Sequence, residues 1–171
     1  MNVLARLRAV VLAEGEPIAA VLRATPTGPS GPGALAASGP RAAAGPAEYE
    51  LLVEAIYEGY LLHYADSRLL ETADRNLALL AGDRLYALGL ERLVALGDID
   101  AVRELADVIA LCALLNARGE GESCGRLWLA GARAVGFGGS AEYEQVKALL
   151  RIGDPEGHPA LAALTEPHAV A

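Results

Sequence analysis

LALLAGDRLYALGLERLVALGD, residues 77–98, repeats leucine at three- and four-residue intervals and stops at Gly-Asp. That period belongs to a helix with one apolar face. Gly82 and Gly89 sit seven residues apart and share a face. A mid-helix glycine costs about 1 kcal/mol against alanine, so each predicts close approach by a neighbouring helix. Gly82, Gly89 and the intervening Asp83, a carboxylate expected to pair with an arginine, are therefore interface candidates. The helix is expected to run from about residue 69 to 96. Gly97 ends it, and Asp98 or Asp100 caps the next.

Outward from this stretch the same period continues. AVRELADVIALCALLNA carries a stripe of Val102, Leu105, Ile109, Cys112 and Ala113. RLWLAGARAV follows a glycine-broken connection, and Ser140 is placed to cap AEYEQVKALLRI. Upstream, EYELLVEAIYEGYLLHYA sets Leu52, Val53, Ile56, Tyr60 and His63 at helical spacing. No segment alternates with a two-residue period, so the expected class is all-α. Residues 1–24 read as an amphipathic helix interrupted near Gly15–Pro17. Between Pro26 and Pro46 there are five prolines and five glycines, which predicts a flexible linker over 25–47. A helical body over 48–153 and a short helix with a frayed tail over 154–171 complete the expected organisation.

Composition narrows the function classes. The formal charge is −8, with one lysine, Lys147, against thirteen arginines. An acidic chain without a basic block repels a phosphate backbone, which argues against a nucleic-acid partner. No stretch reaches the roughly 18 apolar residues of a membrane span. The apolar run between Arg8 and Glu14 is too short for a signal peptide, so a cytoplasmic location is expected. Two cysteines, Cys112 and Cys124, make neither a disulfide framework nor a zinc site. His158 and His168 have no ligand spacing, and no Ser-His-Asp order or phosphate-cradling glycine loop is present.

LLAGDRLYALGLERLVALGDIDAVRELADVIALC (79–112) resembles the Leu-Ala-Gly-Asp helix, Gly-Asp stop and following helix of trans-isoprenyl diphosphate synthases. YLLHYADSRLLE (60–71) is similar to that family's first aspartate-rich region, where Leu-His precedes Asp-Asp-x-x-Asp. ESCGRLWLAGARAVGFGGSAEYEQVKALLRIG (122–153) is similar to its Lys-Thr helix and the two helices after it. The resemblance covers residues 48–153 and implies a partial isoprenoid-synthase-like helical bundle. It also implies dimerisation through the helices of residues 77–112, either as a homodimer or as a heterodimer with a complete prenyl synthase.

The departures bear on chemistry. The three aspartate positions fall at Tyr64, Ala65 and Arg68, none of them a carboxylate. The Lys-Thr pair would fall near Ser123–Arg126, where no lysine stands, and after Gly153 the chain offers Asp154–Pro155–Glu156 in place of a second aspartate motif. Hard carboxylate ligands are what magnesium needs in order to clamp a diphosphate. The resemblance therefore implies a retained fold and a lost catalytic apparatus: a non-catalytic partner or regulatory subunit in isoprenoid biosynthesis with no cofactor. Asp66, Glu71 and Asp74 are the candidate metal or diphosphate remnants, with Glu71 and Asp74 on one face if helical. They would hold Mg2+ only if the chain were a prenyltransferase active in a complex. His63, Tyr60 and Tyr64 are candidates for lining an isoprenoid-binding pocket, the reading in which the bundle binds a prenyl ligand without chemistry.

Overall fold

The computed structural model describes residues 2–166. It is all-α: α1 (Val3–Glu14), α2 (Gly33–Ala37), α3 (Pro46–Tyr64), α4 (Arg75–Ala95), α5 (Ile99–Arg118), α6 (Cys124–Phe137), α7 (Ala141–Ile152) and α8 (Gly157–Thr165). Single 3-10 turns lie at Ala19–Val21, Pro40–Ala42 and Gly121–Ser123. Among the described residues the one extended pairing is an isolated antiparallel bridge between Leu22 and Leu70. No helix among them is long and apolar enough to cross a membrane. His168 and the expected tail beyond residue 166 lie outside the described residues.

α3 is the axis. Every residue from Leu51 to Ile56 and from Glu58 to Leu62 is buried, Glu54 and Glu58 included, so α3 is packed on all sides. Leu52, Val53 and Ile56 face a core shared with α5, α6, α7 and α8, which includes Leu105, Leu127, Trp128 and Leu150. Leu51, Ala55 and Leu62 face a second core with Leu4 and Leu7 of α1 and Leu85 and Leu88 of α4.

Helix starts follow side-chain capping, which satisfies otherwise orphaned amides. Asn2 caps α1, Asp74 caps α4, Asp98 caps α5 and Ser140 caps α7. Asp98 does more than cap. It accepts from the Tyr49 hydroxyl at 2.7 Å and from Arg41 at 3.2 Å, tying α3 and the Pro40–Ala42 turn to the head of α5. Burial works against its charge, yet the Ala101 amide, Tyr49 and Arg41 together hold its carboxyl below the usual range. Burial, then the same hydrogen bond, pushes the Tyr49 hydroxyl up to about 12.

Three sequence expectations are corrected. The first helix ends at Glu14, because Gly15 turns the chain out with φ +89°. The second long helix begins at Arg75 and not near residue 69. Leu69 and Leu70 are buried in an extended segment held by residues 21–27: Arg23 N–H donates to Leu69 O at 2.9 Å, and Glu71 N–H to Val21 O at 2.8 Å.

The third correction is the linker. Residues 25–47 contain α2 and a 3-10 turn, and Ala36 and Ala42 are fully buried. Glycine there serves contact as well as freedom. A Cβ at Gly33 would collide with the Glu50 carbonyl, one at Gly39 with the Gly136 backbone, and one at Gly136 with the Ala36 carbonyl. The segment is seated backbone to backbone on α3 and α6. Residues 25–47 should therefore resist a non-specific protease as well as the bundle does. Gly136→Ala should lift α2 and make that segment the first site of cleavage. Early wild-type cleavage there, unchanged by Gly136→Ala, would contradict the seating.

Candidate functional site

The C-terminal end of α3 and the loop to α4 carry most of the residues singled out from the sequence. Tyr64 is exposed, and Ala65 and Asp66 follow it on the surface. The chain then turns inward at Ser67 and Arg68. Ser67 Oγ accepts from the amides of Leu69 and Leu70 at 3.0 and 2.9 Å, which sets the turn.

Arg68 is the centre of the region. Its Nε donates to Glu58 Oε1 at 2.6 Å, one terminal nitrogen to Glu54 Oε2 at 2.7 Å, and the other to Pro29 O at 2.8 Å. Glu54 and Glu58 lie one turn apart on α3, and both are wholly buried. The remaining oxygens are also used: Gly33 N–H donates to Glu54 at 2.9 Å, and Ser67 Oγ to Glu58 at 2.8 Å. The Tyr57 ring lies 5.0 Å from the guanidinium, within cation–π range. Burial opposes the Arg68 charge, and the carboxylates of Glu58 and Glu54 outweigh it and raise its pKa. One fork-shaped donor thus fastens α3, the α3–α4 loop and the Pro/Gly segment together.

The three candidate remnants do not converge. Asp74 is spent on the amides of Asn76 and Leu77 at 2.9 and 3.2 Å. Glu71 pairs with Arg23 at 3.1 Å. Asp66 makes no ion pair among the described residues. Asp66 and Glu71 do line one cavity of about 230 Å3 with Arg23 and Arg75, but only Glu71 is paired with a guanidinium there, that of Arg23. Arg75 donates to the Leu62 and His63 carbonyls at 3.0 and 2.6 Å and closes the end of α3. Among the described residues no three His, Cys, Asp or Glu side chains form a metal-binding group. The shared-face argument for Glu71 and Asp74 fails because neither lies within a helix.

The aromatic candidates pack on one another. Tyr57, Tyr60 and Tyr64 form a ladder along α3, with centroids 6.0 and 5.4 Å apart. Trp128 of α6 closes against Tyr57 at 5.3 Å and Tyr60 at 5.7 Å. Tyr60 is buried in this cluster, and burial comes first among the causes that raise its hydroxyl pKa. His63 stacks on Tyr86 at 5.3 Å. Its Nε2 is 3.1 Å from Asp83 Oδ1, yet it forms no hydrogen bond.

Gly82 and Gly89 meet α3 of the same chain. A Cβ at Gly82 would lie 2.6 Å from His63 Cδ2 and 3.1 Å from Gly59 O; one at Gly89 would strike Ile56 and come within 2.9 Å of Leu52 O. The close approach predicted from the sequence is present, but inside the chain. These residues are corrected from an interface between chains to the α3–α4 contact.

A second charged cluster escaped the sequence reading. Lys147 lies 2.9 Å from Glu104, 3.0 Å from Asp107 and 2.8 Å from Glu144, and is almost fully buried. Burial opposes its charge, but the three carboxylates raise its pKa. The Tyr143 hydroxyl adds a bond to Glu104 at 2.8 Å. The signals for both clusters were in the chain: a lone lysine on α7, and glutamates at i, i+4 on a helix with no polar face.

Compared with known proteins, the chain matches no family model, no curated protein and no solved structure. The likeness to prenyl synthases rests on the residues quoted for it.

Proposed function

We propose that the chain is a prenyl-synthase-like protein that does not itself ionise an allylic diphosphate and that serves as a partner or regulatory subunit to a complete prenyl synthase. The observation that carries this reading is the state of Arg68. By resemblance it occupies the third metal-binding carboxylate position, and all three nitrogens of its guanidinium are engaged, by Glu54, Glu58 and Pro29. It brings no carboxylate for a metal, and its charge is committed to two buried glutamates. Tyr64 and Ala65, at the other two positions, bring no charge. Ionisation requires the departing diphosphate to be neutralised, and the residues at these three positions bring no carboxylate through which a metal could do it. Exposed apolar side chains at the α4–α5 turn (Val94, Leu96, Ile99) and on α6 (Leu129, Phe137) support a protein partner.

The test is prenyl transfer with isopentenyl diphosphate, an allylic diphosphate and magnesium. The chain alone should form no product above background. Mixed with a complete prenyl synthase, it should co-migrate in gel filtration and change product yield. Turnover by the chain alone that disappears in Asp66→Ala would overturn the non-catalytic reading. Independent migration with unchanged yield would overturn the partner reading.

A further inference from the structure

The Gly121–Ser123 turn carries Ser123 to the head of α6, and the start of α8 lays His158 against it. The Ser123 hydroxyl donates to His158 Nδ1 at 2.8 Å, an arrangement that leaves the ring proton on Nε2. On the far side of the ring, Nε2 lies 3.4 Å from Glu120 Oε2. That carboxylate oxygen is buried and accepts no hydrogen bond among the described residues. A serine just before a helix ordinarily caps it, yet the Ser123 hydroxyl makes no capping bond to α6; it is turned to the imidazole. The Ser123 amide donates to the Glu120 carbonyl at 3.2 Å, which fixes the serine and the carboxylate on one turn. The three residues lie at the surface: the side chains of His158 and Glu120 are 34% and 35% exposed, and Ser123 is 8% exposed. A Cβ at Gly125 would meet nothing within 4 Å, so the start of α6 is uncovered next to the hydroxyl.

We propose that Ser123, His158 and Glu120 form a hydrolytic site for small neutral carboxylic esters, with Ser123 as nucleophile, His158 as base and Glu120 as the residue that positions the ring. A hydroxyl bonded to an imidazole whose other nitrogen faces a carboxylate is the arrangement that activates a serine, and it is recognised by geometry, not by order along the chain. Ser123 Oγ attacks the ester carbonyl carbon while its proton passes to His158 Nδ1. The resulting imidazolium donates from Nε2 to Glu120 Oε2; such bonds are often long before substrate arrives and shorten as charge develops. The oxyanion forms at the positive end of the α6 dipole, which stabilises it. The C–O bond to the alcohol breaks, and His158 returns the proton to the departing oxygen. Water then attacks the acyl carbon, gives its proton to His158, and the acid leaves as Ser123 Oγ is reprotonated. One ester and one water become one acid and one alcohol. Glu120 and exposed Glu122 flank the serine, so an anionic substrate is repelled and a neutral one is not. With Ser123 only 8% exposed, an acyl group of a few carbons reaches Oγ and a bulky one does not. This chemistry is separate from prenyl transfer and does not depend on the partner reading.

The test uses the whole protein with p-nitrophenyl acetate and, separately, with a small alkyl fluorophosphonate followed by peptide mass spectrometry. The wild type should release nitrophenolate faster than buffer and carry one phosphonyl group, on Ser123. Ser123→Ala should lose both signals with unchanged circular dichroism. His158→Ala should slow release by about 100-fold or more, the usual share of a general base, and added imidazole should restore part of it, which a merely structural histidine would not allow. Glu120→Gln should lower kcat and leave KM unchanged. Wild-type release no faster than buffer with no adduct on Ser123 would overturn the proposal. So would an adduct confined to another residue, or release undiminished in Ser123→Ala.

Discussion

Arg68→Met should lower the stability of the protein by about 3–5 kcal/mol, the usual cost of removing one partner from a buried ion pair. At roughly 2–4 °C per kcal/mol for a chain of this size, thermal unfolding should fall by roughly 6–20 °C. The cost comes from what is left behind more than from what is lost. Glu54 and Glu58 have no solvent exposure, and Arg68 is the cation that both contact. Without it, two like charges one turn apart face each other in the core. The Pro29 carbonyl also loses its donor, so the Pro/Gly segment should loosen with the loop. Arg68→Lys should recover only part of the loss, since a single ammonium cannot reproduce three separately directed bonds. Arg68→Met combined with Glu54→Gln and Glu58→Gln should be more stable than Arg68→Met alone, because the unpaired charges are gone. Urea unfolding of the four proteins decides the matter. An Arg68→Met protein within about 1 kcal/mol of wild type, the scale of an exposed pair, would mean that the carboxylates reach water or another cation.

How far the sequence could foresee this depends on whether the decisive partner was near or far along the chain. Caps are local. Asp98 after Gly97, and Ser140 after Gly138–Gly139, announce α5 and α7 through residues within four positions, and both were legible. The start of α4 was not, because Leu69 and Leu70 owe their burial to strand-like bonds from Val21 and Arg23, nearly fifty residues upstream. The Pro/Gly segment misleads for a similar reason. Composition reports that Gly33, Gly39 and Gly136 have no side chain; it does not report that Glu50, Gly136 and Ala36 need that space. At the candidate site, Asp66, Glu71 and Asp74 attracted attention because carboxylates at short spacing are the usual mark of a metal. Glu54 and Glu58 did not, because glutamate on a helix is ordinarily solvated. The fold reverses the two sets: the first is dispersed among a surface residue, an ion pair and a cap, and the second is buried and joined by Arg68.

Gly89→Leu should cost more than the about 1–3 kcal/mol typical of overpacking, and the loss should appear as stability and not as dissociation. The reason lies in what surrounds the position. A Cβ there would strike Ile56 and approach the Leu52 carbonyl to 2.9 Å, so the first added carbon meets both a rigid β-branched side chain and backbone. Ile56 is fully buried on the axial helix and cannot swing into solvent. α3 and α4 must therefore separate, and Leu52, Ile56, Leu88 and Leu93, all buried near this contact, lose packing together. Gly89→Ala isolates the effect at the cost of one methyl. In an Ile56→Ala background, which alone should cost about 2–5 kcal/mol by leaving a cavity, the added methyl should be better tolerated than in wild type, giving a favourable coupling of the kind neighbouring sites show. Gly82→Ala should be milder, because its nearest obstacle is the edge of the His63 ring, a side chain that can turn toward Asp83. Urea midpoints and sedimentation of the same samples separate the two accounts. A Gly89→Leu protein with a wild-type midpoint and a lower sedimentation coefficient would place this face between two chains and undo its assignment to the α3–α4 contact.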